Sequence, residues 1–206
     1  MVRPREHNRE EFVDAAIRIV DAEGLEALTL RRLGSEVGVS FTALYTYFST
    51  REDLIAALVD AVSADIIAGV VPTGESPREQ VVAISLATRR ALSKHPRLAA
   101  VYVSDQSGAS GGNDATRSVA GLLEAAGLEG RDVVTAYRVI ESYVFGSTIF
   151  DLGAAPNHLT IRRRRYVDVG HDAFKSVSTS GKTVRQHNDE AFERGLEILL
   201  DGLGIR

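Results

Sequence analysis

Between residues 28 and 54 the chain reads LTLRRLGSEVGVSFTALYTYFSTREDL, which gathers groups suited to phosphates and base edges. Ser40, Thr42, Tyr45 and Tyr47 offer hydroxyls to phosphate oxygens. Arg31 can present a two-pronged guanidinium to a guanine edge, and Arg32 stands next to it. Phe41 and the Ala43 methyl can touch a thymine methyl. Arg51 falls at a predicted helix start, where free backbone N–H groups also favour an anion. Thr29 opens the first of two short helices as its N-cap. The ordinary alternative is a small core with tyrosines inside and arginines in water. Two tyrosines two positions apart on a helix cannot both face a core, so at least one is exposed.

The elements that must hold these groups are helices. Strand-like alternation is absent, and Ala, Leu, Glu and Arg dominate. A first helix is predicted over 10–23, with Phe12, Ala16, Ile19 and Val20 as its apolar stripe and Gly24 as its stop. Leu30, Leu33 and Val37 face inward on the second, which Gly38 ends. Ser40 caps a third, whose Leu44 and Phe48 point to the core. Ser49 and Glu52 read as a capping box opening a long helix to about Gly69. Further helices are predicted over 77–95, 96–103, 114–126, 131–152, 161–176 and 184–203, with Gly/Ser-rich loop over 104–113.

Two helices around a Gly-containing turn make a helix-turn-helix, with 41–45 as the reading segment. This stretch resembles the N-terminal DNA-binding domain of the tetracycline-repressor (TetR) family of transcriptional regulators. The resemblance rests on Thr29, Leu33, Gly38-Val39-Ser40, Leu44-Tyr45-Thr46-Tyr47-Phe48 and the start of the next helix from Arg51 to Leu54. Gly34 stands where alanine is commonest, and should weaken its helix by about 1 kcal/mol. The resemblance implies an all-α chain. A three-helix helix-turn-helix domain (1–50) would precede a helical domain (51–206) that binds a small molecule and dimerises. It implies a homodimeric repressor of palindromic operator DNA, released by a hydrophobic effector when the helix beginning at Ser49 tilts. Half-sites would lie about 34–36 Å apart or a multiple of that.

The effector pocket is expected among the helices over 77–152. Polar residues on otherwise apolar helices are its candidates: His95, Tyr102, Tyr137 and Arg138, then Glu141 and Ser142, with Phe145 and Ile149 as walls. Arg138 and Glu141, three apart, can instead pair with each other. Residues 137–152 are apolar nearly all round and so should be buried on more than one side. With the stripe Phe192, Leu196, Leu199, Leu200 and Leu203 they form the expected dimer interface, through the helices at 131–152 and 184–203.

Composition excludes much else. There are no cysteines, which removes disulfides, thiolate zinc sites and cysteine nucleophiles. No run is long and apolar enough for a membrane span, and the N-terminus lacks a secretory h-region, so a cytoplasmic address is expected. The net charge of −4 argues against nucleic acid, but from Ala27 to Arg51 three arginines face Glu36 alone. Arg3 and Arg5 could reach a minor groove, but a tail is the plainer reading. The arginine run at 162–165 points around a helix circumference and reads as a solvated segment. Asp168, His171 and Asp172 could share a helix face around a metal, but no further ligand is signalled, and no cofactor is expected. Glycines at 108–112 follow no strand and precede no Lys-Ser/Thr, so a phosphate loop is not expected. No nucleophile or metalloprotease signature occurs, so an enzyme is not expected. A helical carrier or enzyme, or a regulator without a ligand, remains the competing reading.

Overall fold

The computed structural model describes residues 8–70, 76–104, 110–152, 164–165, 167–172 and 182–206. Among them no strand occurs, and every regular element is helical. Helix α1 (Arg9–Glu23) starts where the Asn8 side chain accepts the Glu11 N–H at 2.8 Å. It buries Phe12, Ala15, Ala16, Ile19 and Val20 and ends at Gly24, whose φ of 91° favours glycine. A single 3-10 turn (Leu25–Ala27) leads to α2 (Leu30–Val37). The Thr29 hydroxyl caps α2 on the Arg32 N–H at 3.0 Å, and left-handed Gly38 closes it. Helix α3 (Phe41–Leu44) is one turn long and capped by Ser40, with turns continuing through Tyr47.

Gly34 corrects the propensity argument. A Cβ there would sit 3.1 Å from the Val39 carbonyl oxygen and 3.3 Å from Leu44 Cδ1. The glycine lets α2 close tightly on the α3 turn, a gain in tertiary packing that a helix-propensity scale does not contain.

Helix α4 (Arg51–Ala68) carries a capping box one residue later than expected. Thr50 Oγ1 accepts the Asp53 N–H at 3.0 Å. Asp53 Oδ2 accepts both the Ser49 and Thr50 N–H groups, at 3.0 and 3.1 Å. The short aspartate satisfies two free donors at once, so Thr50 and Asp53 replace Ser49 and Glu52. Helix α5 (Pro77–Lys94) begins at the Ser76/Glu79 box, where the Ser76 backbone N–H and then its hydroxyl hold the Glu79 carboxyl below its usual range.

Helices α6 (Pro96–Ser104) and α7 (Ser110–Ala125) follow. α7 starts four residues before the expected 114, so part of the predicted loop is helix, and 105–109 lie outside the described residues. Gly111 and Gly112 cost about 1 kcal/mol each, but docking of α7 on α4, α5 and the next helix outweighs them. That helix is α8 (Arg131–Leu152), and α9 (Val184–Gly202) starts at a Thr183/Gln186 box. The helix expected over 161–176 is interrupted at Gly170, with φ of 68°. That break also removes the shared helix face supposed for Asp168, His171 and Asp172. Residues 161–163, 166 and 173–176 lie outside the described residues, as do Arg3 and Arg5.

Two cores result. One joins α1–α4 to Ala87, Ala91 and Leu92 of α5 and to Leu98, Ala99 and Val101 of α6. The other packs α7, α8 and α9 around Leu123, Ile140, Val144, Phe192 and Leu196. Buried Arg89 of α5 bridges Asp151 of α8 and Asp189 of α9, at 3.0 Å each, beneath the Phe192 ring.

Candidate nucleic-acid interface and ligand cavity

The α2–α3 turn presents an aromatic face rather than burying it. Phe41, Tyr45 and Tyr47 are 48%, 47% and 40% exposed, while Leu33, Leu44 and Phe48 behind them are fully buried. Phe41 and Tyr45 meet edge to face at 4.8 Å, and Tyr47 leans on Phe12 at 4.9 Å. The rings are therefore oriented as well as exposed. Thr42 is exposed and Ala43 half-buried beside them. The Ser40 oxygen accepts the Ala43 N–H at 3.2 Å, which leaves its hydroxyl proton to donate outward. Thr29 is likewise exposed, with its oxygen on a backbone donor. The Arg31 side chain is exposed and makes no hydrogen bond or ion pair with a described residue.

Two arginines expected on DNA are engaged elsewhere. Arg32 is gripped by Glu23 and Glu36 at 2.7 Å each, which welds α2 to the end of α1. Arg51 turns inward: its Nε donates to the Leu28 carbonyl at 3.0 Å and its Nη2 to the Leu25 carbonyl at 2.9 Å. The Leu25 carbonyl already accepts the Leu28 N–H of the 3-10 turn at 3.0 Å, and the guanidinium adds a second donor to it and one to the Leu28 carbonyl that closes the turn, instead of facing outward.

A cavity of about 650 Å³ opens between α4, α5, α6, α7 and α8. The residues expected there from α8, namely Tyr137, Arg138, Glu141, Ser142, Phe145 and Ile149, all line it, as does Tyr102 of α6. Tyr102 stacks on Phe145 at 5.4 Å and shares a hydrogen bond with Ser63 of α4 at 3.2 Å. Tyr137 donates to Glu141 Oε1 at 3.0 Å and meets the Thr116 hydroxyl at 2.8 Å. Burial pushes the Tyr137 hydroxyl up, against the Thr116 hydrogen bond, and the neighbouring Glu141 adds to the rise, so it stays a donor. The Arg138–Glu141 pairing does not form: Glu141 takes Tyr137 instead.

His95 does not line the cavity. It ends α5 just before Pro96, where the backbone leaves helical geometry, and its Nδ1 meets Asp21 Oδ2 of α1 at 2.6 Å. No group of three or more potential metal ligands occurs among the described residues. None of the described helices is long and apolar enough to cross a membrane.

The description "Tetracyclin repressor-like, C-terminal domain" fits residues 72–206, and "Bacterial regulatory proteins, tetR family" fits residues 12–58. The chain belongs to the TetR family of bacterial transcriptional regulators. An HTH-type transcriptional regulator of Saccharopolyspora erythraea is 32% identical over 68% of this chain. That match spans 58% of the relative, a little over half its length. The class A tetracycline repressor protein of Escherichia coli is 26% identical over 94% of this chain and 89% of its own. A TetR transcriptional regulator of Streptomyces coelicolor superposes with a TM-score of 0.76 at 26% identity, covering 96% of this chain and 98% of that one.

In this TetR-family chain the sequence reading missed the residues of α4 that face the cavity. Val59 and Ile66 line it, and Ser63 ties it to Tyr102. A signal existed: residues 54–67 are apolar on more than one side, as a helix packed on both a core and a cavity must be. Asp21 carried no signal, because its partner lies 74 positions away.

Proposed function

We propose that this TetR-family regulator is a homodimeric, ligand-responsive repressor of palindromic operator DNA. The observation that carries the reading is the double duty of α4. Its first turn is bound to the reading head through Arg51, and two turns later Val59 begins its cavity wall. Residues 1–50 would read DNA, and 51–206 would sense and dimerise. Phe41, Thr42, Ala43, Tyr45 and Tyr47 enter a major groove, with Arg31 on a base edge and Ser40 and Thr29 on phosphates. An effector in the cavity shifts α4 only if it prefers the displaced arrangement.

The stripe expected at the interface lies inside the subunit, with Phe192, Leu196 and Leu200 buried in its own core and Leu199 and Leu203 packed against it. Dimerisation through α8 and α9 is supported by other, exposed apolar residues, Val134, Val139 and Phe150 on one and Ile198 on the other. The name of the tetracycline repressor supports repression as the sign of regulation. Operator DNA as the target supports a cytoplasmic address. The open cavity, flanked by polar ties to the reading head, favours a ligand-controlled regulator over a ligand-independent one. A gel-shift titration of the DNA flanking its own gene tests the proposal. Tight dimeric binding is expected, weakened at least tenfold in a Tyr45→Ala/Tyr47→Phe variant. Equal binding by that variant would refute the residue assignment.

A further inference from the structure

The cavity is polarised along α8. Tyr137, Arg138, Glu141 and Ser142 line one end, and Phe145 and Ile149 lie further along, so the lining spans about 18 Å at the helical rise. At the far end Phe145 and Tyr102 stack with an interplanar angle of 26°, which leaves a flat apolar wall. At the near end two charged side chains have no countercharge among the described residues. Glu141 Oε1 accepts from Tyr137, which is a neutral phenol and supplies no countercharge, and Oε2 has no partner among the described residues. Arg138 is exposed on the cavity lining, with no acceptor among the described residues.

We propose that the effector is an aromatic acid bearing a hydroxyl or amino donor on the same ring as its carboxylate. Arg138 holds the carboxylate and Glu141 accepts from the donor, while the unsubstituted ring lies against Phe145 and Tyr102. This rests on reading the cavity as the effector site. A guanidinium matches a carboxylate with two parallel hydrogen bonds. A carboxylate covered by ligand without a donor loses its water and gains nothing in return. A fatty acid therefore satisfies Arg138 but strands Glu141, a neutral polycyclic alcohol satisfies Glu141 but not Arg138, and a hydrocarbon polycycle satisfies neither. A rigid ring suits the stacked wall better than a flexible chain, because it loses less conformational freedom on binding. The volume is that of a site for a drug-sized molecule.

Calorimetry on the full chain tests this with four probes: 4-hydroxy-2-naphthoic acid, 2-naphthoic acid, 1-naphthol and decanoic acid. The hydroxy acid should bind about tenfold tighter than either half-probe and tighter than decanoic acid, as one added charge-assisted hydrogen bond implies. Arg138→Gln should weaken both naphthoic acids about tenfold and leave 1-naphthol unchanged. Glu141→Gln should weaken both hydroxyl compounds and not 2-naphthoic acid. Gly146→Phe is the separate control, because Gly146 lines the cavity and a Cβ there meets nothing within 4 Å. It should abolish binding of every probe. Probe binding that survives Gly146→Phe would overturn the cavity reading itself. Binding lost in Gly146→Phe but indifferent to both charge variants would overturn the ligand class alone. Decanoic acid binding as tightly as the hydroxy acid, or no probe binding, would also overturn that class.

Discussion

Arg51 and Arg31 separate two jobs that look alike in sequence. Arg51 holds the Leu25 and Leu28 carbonyls, so Arg51→Ala should lower folding stability by about 1.5–3 kcal/mol in a denaturant titration. Its effect on the salt dependence of operator binding should be nil, because no phosphate contact is lost. Arg31→Ala should do the reverse, leaving the melting curve intact and weakening operator binding by about 1–3 kcal/mol. Gly34→Ala gives a third check. Helix propensity alone promises a gain of about 1 kcal/mol. The 3.1 Å approach to the Val39 carbonyl turns that into a net loss, read as a lower thermal midpoint. What sequence could say at this scale was residue type. The direction of a side chain was hidden wherever its partner lay far along the chain, as with Arg51, 23 and 26 positions from its acceptors.

Helices were legible because their ends are local chemistry. Thr29, Ser40 and the Ser76/Glu79 box cap within three residues of themselves, and Gly38 takes its left-handed turn in place. The start of α4 was displaced by local chemistry, because Asp53 collects two donors three and four residues back, and that of α7 for a tertiary reason, because α7 is held by its neighbours. Contacts between helices were not legible. The Asp21–His95 pair joins α1 to the corner between α5 and α6, and the Lys94–Asp65 pair at 2.8 Å joins α5 to α4. Asp21 Oδ1 is buried without a partner among the described residues, so among them the His95 contact is the carboxylate's compensation. A double-mutant cycle of Asp21→Asn and His95→Ala on unfolding free energy should give a coupling of about 0.5–3 kcal/mol. Additive effects would show that the two helices are held by packing alone. At the start of α5 the sign with pH is fixed by Glu79. Its folded pKa is lowered, so its contribution is present above the ordinary glutamate range and is lost as pH falls through the lowered value. Glu79→Gln keeps an acceptor and should flatten that part of the acid limb of a stability profile.

For the whole molecule, architecture followed from pattern: an all-α chain with a helix-turn-helix head and a helical body. The α8 wall of the cavity was legible too, because polar residues on otherwise apolar helix faces have few reasons to be there, whereas the wall residues from α4, α5 and α7 were not. His95 shows the limit of that logic, since a polar residue at a helix end can serve a neighbouring helix instead. The same architecture sets the geometry on DNA. Two copies joined through α8 and α9 would set their reading faces one helical turn apart, about 10 base pairs between half-site centres, or a multiple of it. The direct measurement is a hydroxyl-radical footprint of the full chain on the DNA flanking its gene. Two symmetric protected patches at that spacing are expected, absent with the Tyr45→Ala/Tyr47→Phe variant at unchanged melting temperature. Uniform protection without a preferred site, or the same two patches in the variant, would contradict the assignment of residues 41–47 as the DNA-reading face.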